Sequence, residues 1–288
     1  MRQHQTTCNF KGNESWVILS PIEQSIKNKI ESVGTPLKDW DINIYRGVLT
    51  GCNEAFIIST EKRNEILNNC ATEEERQRTE ELIRPILRGR DIKRYGYNWA
   101  NLWLIYIPWH FPYQFDESIQ GASEKAERAF QEQYPAVYEH LLQYKEPLSN
   151  RNKAETGIRY EWYAMQRWGA KYWEDFYKPK IVYQELTQGS SFAIDTKGEF
   201  FVSNTAYLIT GNDLEYLLLF LNSEIVEYAY KTFYATMLGQ NGIRWLAQHI
   251  HNLPIPKRNV LDKEKDLNVA ESFGLTKEEE DFIKNREL

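Results

Sequence analysis

The sequence predicts an α+β chain: a twisted, mostly antiparallel sheet with flanking helices, followed by a helical C-terminal part. Three observations carry that expectation. Short apolar runs bounded by glycine or proline recur at 42–58, 102–107 and 181–202, as strands do. Helix-capping signatures lie between and after them. With 42% hydrophobic and 14% aromatic residues, the 288-residue chain can fill one large core or two modest lobes.

The elements follow in order. Residues 1–40 form a polar lead-in with a helical pattern at Ile22, Ile26 and Ile30, punctuated by Gly34-Thr35-Pro36. Asp41 to Ser59 reads as strand, turn, strand: Ile42 and Ile44 alternate, Gly47 and Gly51 permit turns, and Ala55-Phe56-Ile57-Ile58 is a buried run. Thr72-Glu73-Glu74-Glu75 is a capping box, opening a helix that runs to about Ile83 because Pro85 disfavours helical geometry before it. Leu102 to Ile107 is a strand ended by Pro108. Ser123 caps a helix over 124–133, and Pro135 suits the first turn of another reaching about Tyr144. Lys180 to Asn204 reads as a hairpin, Ile181-Val182-Tyr183 returning through Asp195-Thr196-Lys197-Gly198 to Phe200-Phe201-Val202. Asp213 caps a helix with Leu214, Leu217, Leu218, Leu221 and Ile225 on one face. Thr276 to Glu279 is a second capping box before Phe282 and Ile283. The division expected is a lead-in at 1–40, an α/β domain at 41–212, a helical part at 213–258 and an acidic tail with a short helix at 259–288.

Composition narrows the class. No apolar run reaches the roughly 18–20 residues that span a bilayer, and Met1-Arg2-Gln3-His4-Gln5 lacks a signal-peptide core. Cys8, Cys52 and Cys70 form no CxxC pair, which points to a reduced, cytoplasmic protein. The net charge of −6 is uneven: Asn259 to Leu288 carries nine acidic and five basic residues, a net −4. Arg84, Arg88, Arg90, Lys93 and Arg94 face only Asp91 in their stretch, and local fields outweigh the sum within a Debye length of about 8–10 Å.

Much catalytic chemistry is missing. The chain has no glycine-rich cofactor loop, no Asn/Asp-Pro-Pro-aromatic turn of an amino-methyltransferase, no Walker loop and no GxSxG elbow. Phe111-Pro112-Tyr113 is not preceded by the right residues. His249 and His251 read as ordinary polar histidines, lacking cysteine or carboxylate partners. Glu81 with Asp91-Ile92-Lys93 matches a nuclease carboxylate and D-x-K, a pattern that arises by chance in charged chains. No catalytic residue, metal ligand or cofactor is therefore expected in this chain.

Three segments suit an anionic, base-bearing partner. Gly47 to Phe56 offers backbone N–H groups and the short polar side chains of Thr50 and Asn53, although it also reads as a tight turn. Arg84 to Tyr95 interleaves cations with aliphatic and aromatic residues, as a phosphate-tracking or guanine-reading stretch would, or a solvated charged face. Lys178 to Glu185 places Lys178, Lys180 and Gln184 on one strand face by period-two alternation; a paired surface strand is the competing reading. Arg244 follows the Gly239-Gln240-Asn241-Gly242 turn, which can bring backbone close to phosphate.

With these segments in this order, the sequence resembles the TaqI-like C-terminal specificity domain of restriction-modification enzymes, especially fused endonuclease–methyltransferases of the Eco57I type. The carriers are Lys29-Ile30-Glu31 through Trp40, Gly47 to Ile58, Arg84 to Tyr95, Trp162-Tyr163, Lys178 to Glu185 and Asn204-Thr205-Ala206. They continue in Tyr216-Leu217-Leu218 with Leu221-Asn222-Ser223, and in Leu253-Pro254-Ile255-Pro256. The likeness covers about 25–258, and Leu87-Arg88-Gly89-Arg90-Asp91-Ile92-Lys93-Arg94-Tyr95 is its most specific part. It implies recognition of a short duplex DNA sequence on behalf of an adenine-specific methyltransferase, with or without a nuclease. S-adenosylmethionine and Mg²⁺ would serve only those linked catalytic domains, present in cis or as a separate subunit. The residues expected to meet DNA are Thr50, Asn53, Arg88, Arg90, Lys93, Arg94, Lys178, Lys180, Gln184, Asn241 and Arg244. Two rival readings are a stand-alone metal-dependent nuclease using Asp91 and Lys93, and a protein-binding adaptor presenting its nine Trp and eighteen Tyr.

Overall fold

Hydroxyl caps start the helices where the sequence places them. Ser123 Oγ accepts from Ala126 N–H before Glu124–Gln133, and Pro135 opens Pro135–Leu142. Thr276 and Glu279 close a full capping box before Lys277–Lys284. The computed structural model describes residues 19–235, 242–258 and 268–285. It contains two compact units, each discontinuous in sequence: 44–184 with 193–210, and 1–43 with 185–192 and 211–288. Among the described residues no helix is long and apolar enough to cross a membrane.

The first unit is built on two four-stranded sheets. One has the order Phe192–Asp195, Lys180–Gln184, Ala206–Gly211, Ile42–Arg46; the other has the order Phe201–Val202, Ile83–Leu87, Leu102–Ile105, Ile57–Ser59. Ala206–Gly211 runs antiparallel to Lys180–Gln184, and Leu102–Ile105 antiparallel to both Ile57–Ser59 and Ile83–Leu87, whereas Phe201–Val202 runs parallel to Ile86–Leu87. Phe56, Ile86, Leu104, Phe130, Tyr160, Tyr163 and Phe201 lie at 0% exposure in its core. Each such side chain removed from water contributes roughly 1.5–3 kcal/mol.

Several local expectations are corrected. Ile42–Arg46 and Ile57–Ser59 do not pair with each other but join different sheets, and a short helix, Asn53–Phe56, lies between them. The hairpin expected over 180–204 does not form either. Lys180–Gln184 pairs with Ala206–Gly211 and neighbours Phe192–Asp195, whereas Phe201–Val202 goes to the other sheet. Both runs are buried on both faces, so their side chains carry no alternation that would select a partner. Thr72 caps Glu73–Leu82, but Glu75 completes no box: its carboxylate accepts from the N–H groups of Ala71 (2.8 Å) and Ala136 (3.1 Å), tying the helix start to the next helix pair.

The second unit is mainly helical. It combines Pro21–Val33, Leu214–Leu221, Glu224–Ala229, a wide turn at Tyr230–Tyr234, Ala247–Ile250, Val269–Ser272 and Lys277–Lys284. Two ribbons complete it: Thr35–Pro36 with Pro254–Ile255, and Leu186–Thr187 with Ile243–Arg244. Asp213 sits at the cap position but adopts a left-handed backbone (φ 54°) and makes no side-chain cap bond, lying instead 3.8 Å from Arg258. The single helix expected after it is two helices, because Ser223 caps a new start and Asn222 turns its amide to the Phe192 backbone. His249 lies on the short helix Ala247–Ile250.

Two buried ionic groups organise these units. Lys180, at 0% exposure, donates from Nζ to Asp195 Oδ2 (2.9 Å) and to the carbonyl oxygens of Phe176 (2.8 Å) and Lys178 (3.3 Å). Asp195 also accepts from the N–H groups of Glu199 (3.2 Å) and Phe200 (2.9 Å). Burial pushes the Lys180 ammonium below the usual lysine range, and Asp195 opposes that push. Lys180→Ala removes one partner and leaves Asp195 a buried unpaired charge, so urea unfolding should register a loss of about 3–5 kcal/mol.

Glu279 is the counterpart in the second unit. It accepts from Ser25 Oγ (2.7 Å), Lys29 Nζ (2.7 Å) and the Thr276 N–H (2.7 Å). Burial alone would raise its carboxyl, but the bonds from Lys29, the Thr276 N–H and Ser25 outweigh it and hold the group at about 2. A depressed carboxylate stabilises the fold above the ordinary glutamate range, and that contribution disappears as pH falls toward about 2. Glu279→Gln should lower the melting temperature at neutral pH and flatten its decline across that acid window, as read by circular dichroism.

Candidate nucleic-acid interface

Two glycines bring separate segments of the first unit together. The Gly47 N–H donates to the Ala206 carbonyl (2.9 Å), and a Cβ there would sit 2.2 Å from the Ser203 carbonyl oxygen. The Gly89 N–H donates to Thr205 Oγ1 (2.9 Å); a Cβ there would lie 2.6 Å from the Thr205 carbonyl oxygen and 3.1 Å from Gln184 Cγ. Gln184 is itself opposite Ala206 in the antiparallel ladder. Arg46 Nε donates to the Asn204 carbonyl (2.9 Å), and its guanidinium lies 5.7 Å from the Tyr207 ring centre. The end of one strand, the turn at 203–206, the half-buried Gln184 and the Gly89 loop therefore form one contiguous site.

The loop itself is shaped by charge. Arg88 donates from its backbone N–H (2.9 Å) and from Nε (2.9 Å) to Asp91 Oδ2, and from Nη2 to Asp91 Oδ1 (2.8 Å). Burial would raise the Asp91 carboxyl, yet the Arg88 bonds prevail and hold it below the ordinary range; the same bonds raise Arg88. Beyond this clasp, Ile92–Lys93 and Gly96–Tyr97 pair as a tight hairpin. Lys93 Nζ donates to the Arg90 carbonyl (2.8 Å), and Arg90, Lys93 and Arg94 are exposed. Exposed cations on a rigid loop beside a half-buried amide offer phosphate contacts next to a group that can pair with a base edge.

The expected contact residues separate into groups. Arg90, Lys93 and Arg94 are exposed on the loop whose Gly89 abuts Gln184, with Arg88 inside the clasp. Asn53 is exposed at the start of the short helix Asn53–Phe56. Thr50 is corrected: it is 3% exposed, and its hydroxyl donates to Asn53 Oδ1 (2.7 Å). Its carbonyl is held by Arg151 Nη1 (2.8 Å), so the turn is pinned from within. Lys180 is corrected as well, being the buried partner of Asp195. Lys178 is exposed and 3.1 Å from Asp175. Arg244, in the other unit, donates from Nε (2.9 Å) and Nη2 (2.8 Å) to Glu185 Oε1. Asn241 lies outside the described residues. Arg46 and Thr205, which hold this site together, were not among the expected contact residues; the signal for them was the pair of glycines that must accept a close backbone.

The nuclease pattern meets a direct obstacle, since both Asp91 oxygens are engaged by Arg88. Among the described residues, no group of three or more His, Cys, Asp or Glu side chains is placed to hold a metal ion. Many of the aromatics are core residues: Tyr160, Tyr163, Tyr183, Tyr228, Tyr230 and Trp245 are fully buried.

The sequence matches the TaqI-like C-terminal specificity domain over residues 84–255. The chain belongs to that family. The matched part of this TaqI-like domain contains the Gly89 loop, Gln184 and Arg244, and is shorter than the 25–258 likeness read from motifs. Among solved structures, the type IIL restriction-modification enzyme MmeI in complex with DNA is 13% identical with a TM-score of 0.47, covering 76% of this chain and 25% of that one. The type IIG restriction endonuclease BpuSI is 15% identical with a TM-score of 0.46, covering 92% and 28%. The chain thus spans about a quarter of the length of those enzymes. No curated protein matches it.

In this TaqI-like domain Gly89→Ala would force backbone against backbone, and should cost about 1–3 kcal/mol in urea unfolding. Gly96→Ala, where a Cβ meets nothing within 4 Å, is the control and should stay within roughly 0.5 kcal/mol.

Proposed function

We propose that this domain binds duplex DNA at a short sequence, as the target-recognition part of a bacterial type II restriction-modification enzyme. The observation that carries the reading is the packing of the Gly89 loop, with its exposed Arg90, Lys93 and Arg94, against Gln184 and the 203–206 turn, inside the segment matched to the specificity-domain family. In this reading the cations neutralise phosphates and set the register, and Gln184 reads a base edge, its amide being able to pair with N6 and N7 of adenine. Methyl transfer to adenine, and any strand cleavage, belong to linked domains that supply S-adenosylmethionine and Mg²⁺ sites, in the same polypeptide or in a separate subunit. The setting is the cytoplasm, where cysteines stay reduced.

The test is selection from a randomised duplex pool followed by salt titration. Arg90→Ala should flatten the log–log salt slope by about 0.9. Arg88→Ala should flatten it less, because Asp91 already neutralises that guanidinium. Gln184→Ala should cost roughly 1–3 kcal/mol on the selected duplex and leave non-specific affinity unchanged. Failure of the wild-type chain to enrich any duplex at low salt would overturn the reading.

A further inference from the structure

Tyr95 occupies the tip of the hairpin beside the cations, and its conformation is costly. Its φ is 64°, in the left-handed region that bulky L residues rarely adopt and that glycine or asparagine enters cheaply. The ring is nevertheless half out in solvent, at 50% exposure. The Arg94 guanidinium lies 5.7 Å from its centre. A Cβ built on the neighbouring Gly96 would meet nothing within 4 Å, so that side of the tip is open.

The stem, by contrast, is anchored. Ile92 is 1% exposed, and the Asn98 N–H donates to the Asp91 carbonyl (2.8 Å). Tyr97 packs edge-on against Phe200 at 4.9 Å between ring centres. The Arg88–Asp91 clasp fixes the approach to the stem. A rigid two-stranded stem thus presents a strained, exposed aromatic at its apex, next to Arg94. Backbone strain kept at an exposed apex, where packing does not require it, marks a side chain retained for contact.

We infer that Tyr95 is a wedge that enters a groove of the bound duplex and stacks against a base step, partly unstacking it. A two-stranded ribbon fits within the major groove, and inserted side chains that unstack a step make specificity depend on how easily that step deforms. The inference rests on the DNA-recognition reading above and adds a specificity determinant that makes no hydrogen bond to a base edge.

The experiment uses the full chain and the duplex selected by the wild type, labelled with 2-aminopurine at successive positions. Binding should raise the fluorescence at one step, reporting local unstacking. Tyr95→Ala should abolish that rise and weaken affinity on the order of 10- to 100-fold, with an unchanged salt slope. Tyr95→Trp should retain both signals. Tyr95→Gly, which relieves the left-handed strain, should melt at or above the wild-type temperature while losing the fluorescence rise. If Tyr95→Ala keeps wild-type affinity and fluorescence, the wedge is wrong while DNA recognition stands. If Tyr95→Gly and Tyr95→Ala both melt well below the wild type, Tyr95 serves the fold and the inference is overturned. If the wild type selects no duplex, the DNA reading itself has failed.

Discussion

A lysine ammonium buried at zero exposure can persist only if every one of its donors is answered, and the first unit is arranged around that requirement. Lys180 opens a strand whose remaining residues are nearly all buried. Its charge is met by Asp195 on the neighbouring strand and by two backbone carbonyls from the turn before it. Asp195 in turn gathers the N–H groups of Glu199 and Phe200, so one ion pair fixes a strand start, a strand end and the following turn. Gln184, at the far end of the Lys180 strand, inherits its position from that anchoring. So does Ala206 opposite it, and with Ala206 the turn that receives Gly89.

The electrostatics of the loop at 88–95 follow a second logic. A stretch of four cations would repel itself and splay in solvent. Here Asp91 takes the guanidinium of Arg88 in a bidentate bond and the Arg88 N–H as well, which turns one cation into a structural member. Arg90, Lys93 and Arg94 stay exposed on the folded loop. Exposed positive charge and local order are therefore divided among neighbouring residues, although the whole chain carries a net charge of −6.

The aromatic content divides similarly. Tyr45 stacks on Tyr172 at 4.3 Å, Phe176 on Phe201 at 4.8 Å, and Tyr230 on Trp245 at 4.0 Å, so many rings bind elements to each other. Composition alone could not separate these from rings offered to a partner, because a tyrosine suits either role. Burial separates them, and it leaves Tyr95 among the exposed few.

What the sequence determined by itself was local chemistry. Ser123, Pro135 and the Thr276–Glu279 box specify helix starts through bonds that span only a few residues, so they are readable without a fold. The family was legible for the same reason: the motif from Arg88 to Tyr95 that suggested it is contiguous. Only the tertiary structure decided what depends on partners distant in sequence. It paired Phe201–Val202 with Ile86–Leu87 and not with Ile181–Tyr183, a choice that runs of uniformly buried residues cannot express. It also turned Lys180 inward and left Lys178 outside, because the strand starts only at Lys180 and the alternation that would pair their fates does not reach Lys178.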